Sequence, residues 1–587
     1  MKPLRPVSNS SASPGGSFRF LFSQARTTLA VSVLVALSVG HAQSAEGSAK
    51  GRPNILVILA DDLGFSDIGA FGGEIDTPNL DGIAREGVRL TDFHSGATCS
   101  PTRSMLLSGV DHHVAGIGSM AELTVEEQRG KPGYEGYLND RVVAFPQLLQ
   151  QAGYRTYMSG KWHLGLTEER SPKARGFDRS FALLRGADDH YAQPWNSRIN
   201  PAEPYYREDG KLTTVPSDFY SSDFYADKLV SYLKEAQDDR RPFFAYLTFT
   251  APHWPLQAPE SVIQKYVARY QAGYEPVRQA RLEKQKALGL LPKDFRPARM
   301  LSLFPAWQRL TAQQQAQEAR RMAVYAAMVD IMDRNIGKVI SQLKASGQYD
   351  NTVILFMSDN GAEGANVSDR ASAIPRDNRV SNIGRASSYA SYGPNWAQVS
   401  ALPFNLYKGY SHEGGTTVPA IVRWPGGRHA GQVVAVPGHV TDVAPTLLQL
   451  AGVSHPEQLG GRPVAPLQGR SLVSLFEGGV PSAGRFEQGW ELFGRKAYRQ
   501  GDWKIVLDAP PTGTGDWQLF NLRTDRAEQI DLAAQHAEKL AELKAGYEAY
   551  AQRNGVIDVP HLAQRVSERY SSRAYFEALE QADAAER

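Results

Sequence analysis

The chain has 587 residues, with 64 Lys or Arg against 62 Asp or Glu, so its formal net charge is only +2. This length buries a sizeable core and leaves room for a second domain, and the balanced charge excludes a global field that would favour nucleic acid or an anionic membrane. A single cysteine, Cys99, excludes an internal disulfide and is either a buried bystander or a functional thiol.

The N-terminus has the order of a signal peptide. Basic residues precede an apolar run over 29–39, and small residues follow it up to Ala45. The run of eleven residues is too short for a membrane span, which needs about 20. We therefore expect residues 1–45 to be a signal peptide and the product to be exported to a bacterial periplasm without stable membrane insertion. A disordered leader or a short anchor is the alternative.

Five short apolar runs alternate with helical segments and predict a mainly parallel α/β sheet. They cover residues 55–59, 154–158, 243–249, 353–356 and 420–422. The first four are followed by polar side chains: Asp61 and Asp62, Lys161 and His163, His253, and Asp359 and Asn360. Because open α/β sheets bind ligands beyond the carboxyl ends of their strands, we expect these side chains to form a site. Ordinary turn chemistry is the alternative.

Two regions after the third run differ in composition. Residues 260–345 are rich in Gln, Arg, Lys, Ala and Leu, which predicts a helical insertion with a last helix over 313–343 and charges on a solvated face. Residues 364–401 have little periodicity and predict a long loop.

The pattern changes again from about residue 484. Shorter strand-like runs, 504–507 and 517–520, precede a helix over 532–554. This predicts a small antiparallel α+β domain with a structural role. We expect a catalytic α/β domain over 52–480 and a C-terminal domain over 484–587.

Cys99 lies in the segment 97–109, Ala-Thr-Cys-Ser-Pro-Thr-Arg-Ser-Met-Leu-Leu-Ser-Gly. The segment predicts a loop entering a helix, because Pro101 suits the first helical turn. Free N–H groups and the helix dipole favour an anion at that end. Arg103 lies one turn further on, near the same helix face, where a guanidinium can stabilise an anionic nucleophile.

Residues 99–109 resemble the signature of the sulfatase family, formylglycine-dependent members of the alkaline phosphatase superfamily. Residues 153–163, Gly-Tyr-Arg-Thr-Tyr-Met-Ser-Gly-Lys-Trp-His, resemble the family's second signature. The resemblance extends over about residues 53–532, and the length and helical insertion look like bacterial arylsulfatases. It implies an alkaline-phosphatase-like fold, a large, mostly parallel mixed sheet sandwiched by helices. Ser108, where the family often has threonine, is a departure.

Asp61, Asp62, Asp359 and Asn360 offer only oxygen ligands, which suit a hard cation better than zinc. A cage built mostly of protein oxygens suits calcium better than magnesium, which keeps several waters. The resemblance implies the same ion: one Ca²⁺ per chain, bound by these four residues and by the oxygen of a formylglycine at position 99. Helix or turn capping by the aspartates is the alternative.

The resemblance also implies the nucleophile and its anion-binding groups. Cys99 would be oxidised to formylglycine, and one hydroxyl of its hydrate, held by Arg103, would attack sulfur. Lys161 and Lys408 would hold the sulfate oxygens and offset charge in the transition state.

Two histidines complete the implied mechanism. His253 would protonate the leaving alcohol or phenol, and His163 would take the proton of the second hydroxyl so that sulfate departs. Aromatic residues near the predicted loop could stack on an aryl group or sugar face, or pack in the interior: Tyr389, Tyr392 and Trp396.

These patterns predict hydrolysis of sulfate esters, with aryl sulfates as the expected class. The partners would be a small sulfate ester and a formylglycine-generating or other sulfatase-maturing enzyme, with no nucleic acid. A phosphonate or phosphate monoester hydrolase on the same scaffold is the nearest alternative, because both transferred groups are tetrahedral anions. A non-catalytic anion- or glycan-binding protein is the alternative from another class.

Overall fold

The computed structural model describes residues 51–192, 205–236, 239–301, 304–367, 376–426, 430–477 and 486–569. The expected signal peptide, residues 1–45, lies outside these ranges. The described residues from Arg52 onward belong to one compact unit. None of the helices in these ranges is both long enough and apolar enough to span a membrane.

The strands confirm the five predicted runs as β1, β4, β8, β9 and β10. In chain order they are β1 Asn54–Ala60, β2 Val88–Leu90, β3 Phe93–His94, β4 Arg155–Lys161, β5 Arg179–Leu183, β6 Tyr206–Glu208, β7 Lys211–Thr213, β8 Phe243–Thr248, β9 Thr352–Ser358, β10 Ala420–Arg423, β11 Val433–Val434, β12 Gly438–His439, β13 Gln458–Leu459, β14 Arg462–Pro463, β15 Glu487–Leu492, β16 Arg495–Gln500, β17 Trp503–Leu507 and β18 Trp517–Asn521.

A ten-stranded mixed sheet has the order β11-β2-β10-β9-β1-β8-β4-β5-β6-β7. Its central strands are parallel: β1 pairs with β8 and β9, and β4 pairs with β8 and β5. Strand β10 runs antiparallel to β9, and β6 and β7 add an antiparallel edge. The mostly parallel sheet is therefore confirmed, and the carboxyl ends of β9, β1, β8 and β4 lie side by side.

Helices cover both faces of this sheet. In chain order they are α1 Pro78–Glu86, α2 Cys99–Ser108, α3 Phe145–Gln151, α4 Ser221–Glu235, α5 Glu260–Tyr270, α6 Tyr274–Ala287, α7 Ala312–Ala345, α8 Gly393–Ser400, α9 Glu413–Thr416, α10 Val443–Ala451, α11 Val473–Phe476, α12 Ala537–Asn554 and α13 Leu562–Arg569. On β1, Leu56 and Ile58 pack on the side of α4, α5 and α7, while Val57 and Leu59 pack on the side of α2, α3 and α10. A strand buried on both faces explains the continuous apolar runs of the sequence.

The region 260–345 is helical as expected, but the prediction that its charges form a solvated face is wrong for several of them. Arg281 on α6 is 1% exposed and bonds to Asp67 at 2.6 Å and to Glu74 at 2.7 Å. Helix α7 contacts α1, α4 and α5 and buries charged residues along its length. These charges are tolerated in the interior because each finds an opposite charge or a hydrogen bond.

The prediction of a continuous loop over 364–401 is also wrong at its end, where α8 forms. Every residue of α8 is buried, so no face is left polar and no helical period shows in the sequence. Trp396 is fully buried and donates to the carbonyl of Glu318, and Tyr392 stacks on Tyr325 with ring centroids 4.4 Å apart. Trp396 and Tyr392 are thus core residues rather than stacking platforms for a substrate.

The C-terminal region forms the expected small antiparallel α+β unit. Strands β15 to β18 pair in sequence as an antiparallel meander, and α12 packs against β15, β16 and β17. The helix begins at Ala537, five residues later than predicted from residue 532. We propose that the boundary between the catalytic α/β domain and the C-terminal domain lies between residues 480 and 484.

Candidate active site

Four adjacent parallel strands end at one edge of the sheet, and the structure brings the predicted side chains together there. They are Asp61 and Asp62 after β1, Asp359 and Asn360 after β9, Lys161 and His163 at the end of β4, and His253 after β8. All of these residues are buried. Ligand atoms of Asp61, Asp62, Cys99 and His253 lie within 4.8 Å of one another.

Two lysines face the aspartates after β1. Lys161 Nζ lies 2.8 and 2.7 Å from the two carboxylate oxygens of Asp61. Lys408 Nζ lies 2.8 Å from Asp62 Oδ1 and 3.0 Å from Glu363 Oε2. Both ammonium groups therefore lie in one buried polar basin at the strand ends, together with Asp61, Asp62 and Glu363.

Arg103 lies on α2, one turn after Cys99, and is fully buried. Its Nε and Nη2 donate to Asp359 Oδ2 at 3.0 and 2.8 Å, and its Nη1 donates to the carbonyl of Lys161 at 2.8 Å. The guanidinium thus ties together α2, β4 and β9. Its charge faces the carboxylates of Asp359 and Asp61, and its expected role at the nucleophile stays a prediction.

Cys99 is the first residue of α2 and is 1% exposed. Its Sγ lies 3.8 Å from Asp62 Oδ1. Burial raises the pKa of the Cys99 thiol well above its ordinary value, although Lys161 and Lys408 oppose that shift. An unmodified Cys99 therefore stays a neutral thiol at neutral pH, which makes it a weak nucleophile.

The buried carboxylates repel one another. Burial, opposed by Lys161 and reinforced by Asp359, raises the pKa of Asp61 to about 8. Burial, opposed by Lys408, likewise raises the pKa of Asp62 to about 6. At Asp359 burial also acts to raise the pKa, but the charges of Arg103, Lys161 and Lys408 and the hydrogen bonds from Arg103 together outweigh it, so the pKa is lowered. The basin therefore holds more carboxylates than its cations can fully stabilise, and a further positive charge would keep all of them ionised.

Asn360 supplies a second sign of a cation site. Its Nδ2 donates to Asp62 Oδ1 at 2.7 Å and to the carbonyl of Gly361, which fixes the amide orientation. Its Oδ1 is buried and accepts no hydrogen bond from any described residue. An orphaned amide oxygen beside several carboxylates fits a hard cation such as calcium.

His253 has its two ring nitrogens in different surroundings. Nδ1 lies 2.6 Å from the carbonyl of Trp254 and therefore carries a hydrogen, while Nε2 lies 3.4 Å from Asp62 Oδ2. Burial, then the charges of Lys408 and Lys161, lowers the pKa of His253 well below its ordinary value. The imidazole is therefore neutral unless an anion offsets the two lysines.

Two carboxylates of the site have no place in the sequence prediction. Glu363 pairs with Lys408, and Glu122 lies 3.2 Å from His163 Nε2. Glu363 follows Asn360 by three residues, so the strand-end segment itself is the signal that would find it. Glu122 comes from a stretch without strand or helix periodicity, and no pattern in the sequence marks it.

An aromatic pair lies beside His253. The ring centroids of His253 and Trp254 are 4.4 Å apart, and Tyr389 meets Trp254 edge-on at 5.8 Å. Both aromatic residues are half-buried, whereas Tyr392 and Trp396 are in the core. Of the three aromatic residues noted in the sequence, Tyr389 is the one whose ring contacts Trp254, the neighbour of His253.

Comparisons with known proteins show the family of the chain. A family model described as Sulfatase matches residues 53–453. An uncharacterized sulfatase of Schizosaccharomyces pombe is 45% identical over 531 residues, covering 87% of this chain and 95% of the relative. An arylsulfatase of Klebsiella aerogenes is 40% identical over 448 residues, covering 75% of this chain and 95% of the relative.

The fold also matches solved structures. The crystal structure of Ps i-CgsB aligns with a TM-score of 0.61 and 25% identity, covering 90% of this chain and 99% of that protein. The sheet order, the helices on both faces and the small C-terminal sheet are therefore those of an alkaline-phosphatase-like fold.

Proposed function

Because the chain belongs to the sulfatase family of the alkaline phosphatase superfamily, we propose that it hydrolyses aryl sulfate esters to a phenol and inorganic sulfate. One observation carries this proposal: Cys99, at the start of a helix, shares a buried basin with two lysines and three carboxylates. Lysines attract the sulfate oxygens, and the helix end favours negative charge at the nucleophile.

The nucleophile is assigned to Cys99 after its conversion to formylglycine. The raised pKa of the unmodified thiol argues against direct attack by a thiolate. The aldehyde hydrate supplies a hydroxyl nucleophile and a second hydroxyl whose deprotonation releases sulfate. Conversion requires a formylglycine-generating or another sulfatase-maturing enzyme as a partner.

The residues around Cys99 then bind the ester and move protons. Lys161 and Lys408 hold the sulfate oxygens, and their charge offsets the charge that develops in the transition state. As the bond from sulfur to the leaving oxygen breaks, His253 donates a proton to that oxygen. The negative charge of a bound sulfate group offsets the lysines that hold His253 neutral, so substrate binding itself raises its proton affinity.

A calcium ion is assigned to the oxygen atoms of Asp61, Asp62, Asp359 and Asn360, together with the residue at position 99. The buried Asn360 Oδ1 without a hydrogen bond among the described residues supports this assignment. When bound, the ion supplies positive charge that keeps the carboxylates ionised and polarises the sulfate group. Arg103 keeps Asp359 in place for it through a pair of hydrogen bonds.

Aryl esters are proposed as the substrate class because of Trp254 and Tyr389. A phenol whose oxygen is protonated by His253 would have its ring next to these half-buried aromatic residues. Offset or edge-on contacts between aromatic rings contribute about 0.5–1.5 kcal/mol beyond buried area. The arylsulfatase of Klebsiella aerogenes supports the same class.

Export to the periplasm is part of the proposal and is supported by the N-terminal order of basic, apolar and small residues. The finding that no described helix suits a membrane span is compatible with it.

The test uses purified protein with 4-nitrophenyl sulfate, 4-nitrophenyl phosphate and a phenyl phosphonate ester as parallel substrates. We expect the highest kcat/KM on the sulfate. Cys99→Ala should lower that rate by several orders of magnitude, as for removal of a nucleophile. A higher kcat/KM on the phosphonate would establish the alternative hydrolase, and a near-native Cys99→Ala rate would remove the nucleophile assignment.

A second comparison tests the aryl class. Trp254→Ala should lower kcat/KM on aryl sulfates by about tenfold while sparing a small alkyl sulfate, since about 1.4 kcal/mol corresponds to a factor of ten. Trp517→Ala, on the C-terminal sheet, is the matched control and should change neither rate. An equal loss on both substrates would contradict aromatic selection.

A further inference from the structure

His163 is held by a side chain that lies outside both signature segments. Its Nε2 is 3.2 Å from Glu122 Oε1 and 3.5 Å from Glu122 Oε2. Its Nδ1 is buried and has no hydrogen-bond partner among the described residues. The imidazole is 8% exposed, while the Glu122 side chain is 50% exposed. One ring nitrogen is thus paired with a carboxylate, and the other is buried without a hydrogen bond to any described residue.

This arrangement selects one tautomer of the neutral ring. An ionised carboxylate accepts hydrogen bonds and donates none, so Nε2 carries the hydrogen. Nδ1 then keeps its lone pair and is the atom that can accept a proton. The other charged groups that face the imidazole are Lys161 and Arg103, which together with burial lower its pKa, while Glu122 opposes them. Glu122 is therefore the acidic group that makes Nδ1 more basic.

The ring orientation is fixed from a second side. His163 has a φ of 58°, in the left-handed region, so its backbone turns sharply out of β4. The ring packs directly on Gly186, where a Cβ would lie 2.5 Å from His163 Cε1. Glycine at 186 is thus required by the close approach of the ring. Between Gly186 and Glu122 the imidazole has little freedom to rotate.

Glu122 is itself anchored by apolar contacts. It lies in a short 3₁₀ turn, Ala121–Leu123. Leu123 of this turn and the preceding Met120 pack against Ala97, Leu492 and Phe493. Ala97 comes two residues before Cys99, Leu492 is the last residue of β15, and Phe493 lies in the turn between β15 and β16. The carboxylate is therefore positioned by the segment before the nucleophile and by the C-terminal sheet.

We propose that Glu122 is a positioning residue for the reaction: it orients His163 and keeps the hydrogen on Nε2, so that Nδ1 accepts the proton that must be removed for sulfate to leave. The proposal rests on the sulfate-ester hydrolysis proposed above. It also gives the C-terminal sheet a part in catalysis, because that sheet supports the 3₁₀ turn.

The kinetic test compares Glu122→Ala, Glu122→Gln and Glu122→Asp with Glu126→Ala. Glu126 is on the same segment, and its side chain is 89% exposed, so its replacement is the matched control. We expect Glu122→Ala to lower kcat by about 10- to 100-fold, the factor typical of partners that orient metal-ligating histidines. Because His163 acts after the leaving group has departed, KM should fall with kcat and kcat/KM should change little. Glu122→Gln should keep more activity, because its amide oxygen still accepts from Nε2, and Glu122→Asp should restore part of kcat.

The pH profile separates positioning from a merely structural role. Removing the carboxylate lowers the pKa of His163, so protonation of the base sets in at lower pH and the acid limb of kcat moves to lower pH in Glu122→Gln. Loss of activity by the same factor at every pH, with a lower melting temperature, would overturn the proposal. An unchanged rate and an unchanged acid limb in Glu122→Ala would overturn it as well.

An activity-independent readout is ¹⁵N NMR of histidine-labelled protein, with the His163 signal assigned by its absence in His163→Gln. We expect the Nε2–H tautomer in the wild-type protein and a mixture in Glu122→Ala. An Nδ1–H signal in the wild type would overturn the pairing. Absence of sulfate release from the wild type, with the Nε2–H tautomer present, would overturn the sulfatase function while the pairing stands.

Discussion

His163 and His253 carry the same imidazole group but hold it with different partners. His253 donates from Nδ1 to the carbonyl of Trp254 and points Nε2 at Asp62, whereas His163 points Nε2 at Glu122 and leaves Nδ1 open. The nitrogen available for proton transfer therefore differs between the two rings. This difference is compatible with the proposal that the two histidines act in different steps of one reaction.

Replacing each histidine should give a different kinetic signature. His253→Ala should slow esters with poor leaving groups most, because an electron-poor phenol leaves well without a proton. His163→Ala should lower kcat to a similar extent for every leaving group. The measurements are kcat and the slope of log kcat/KM against the leaving-group pKa for a series of aryl sulfates, with His561→Gln as an exposed-histidine control. Equal slopes for both variants would contradict the division of roles.

The structure brings the predicted site residues together, and most of them belong to short contiguous motifs of the sequence. Cys99 and Arg103 share one segment, Lys161 and His163 share another, and each segment has a turn or strand end that marks its position. Glu122 was not predicted, because it meets His163 across 41 residues of sequence and no local pattern marks it.

At the scale of the elements, side chains from two helices hold the turn after β1 in place. Asp67 accepts a bond from Arg281 of α6 at 2.6 Å and one from Tyr325 of α7 at 2.5 Å, and its Oδ2 also accepts from the N–H of Gly64. Asp62 has a φ of 68°, a conformation that costs a non-glycine residue about 1–2 kcal/mol. The bracing holds this strained residue in place for its role in the site.

Calcium should bind where β1 and β9 end. Chelation should abolish turnover and calcium should restore it, and the ion should raise the melting temperature of the metal-free protein, because it binds the folded state only. Asp61→Asn should weaken the calcium-dependent shift, while Asp350→Ala, at an exposed site just before β9, should leave it unchanged. Full activity in a preparation verified to be metal-free would contradict the assignment.

The element types and the sheet class were predictable from apolar runs and the residues that end them. Helix α8 was not, because a helix buried on all sides has no polar face to reveal its period. The buried charges of α6 and α7 were not either, since Arg281 and Asp67 are 214 residues apart in sequence and only folding brings them together.

At the scale of the whole molecule, buried charges join the C-terminal sheet to the catalytic part. Lys504 on β17 is fully buried and lies 2.8 Å from Glu413 and 2.9 Å from Glu528. Arg499 on β16 pairs with Asp92 at 2.8 Å. The pairs of Lys504 with Glu413 and of Arg499 with Asp92 cross between the two parts, and no local sequence pattern predicts them because the partners are far apart in the chain.

Replacing Lys504 measures how much its buried ion pairs contribute to the free energy of unfolding. Lys504→Ala leaves two carboxylates buried without their cation, which should destabilise the fold by about 3–5 kcal/mol. Arg523→Ala removes an exposed pair with Asp502 and should cost about 0–1 kcal/mol. Chemical denaturation of both variants measures the difference. Similar free energies of unfolding for the two would contradict a buried, stabilising cation.

We expect the free energy of unfolding to depend on pH through the charge of His113. It bridges Asp111 at 2.8 Å and Glu491 of β15 at 3.0 Å, and these carboxylates outweigh burial and raise its pKa to about 9. Since the unfolded value is about 6.5, its contribution is complete below that pH and is lost as pH rises through about 9. The stability gap between wild type and His113→Gln should therefore shrink over this window. A gap that widens with pH would contradict the charged bridge.

The proposed catalysis depends most on the chemical state of residue 99. The tryptic peptide covering residues 90–103 contains Cys99, and its mass can be measured in protein that actively releases sulfate. We predict a peptide in which oxygen has replaced sulfur with the loss of two hydrogens, in an amount that rises with specific activity across preparations. Full sulfatase activity in a preparation whose peptide carries only the unmodified thiol would contradict the account.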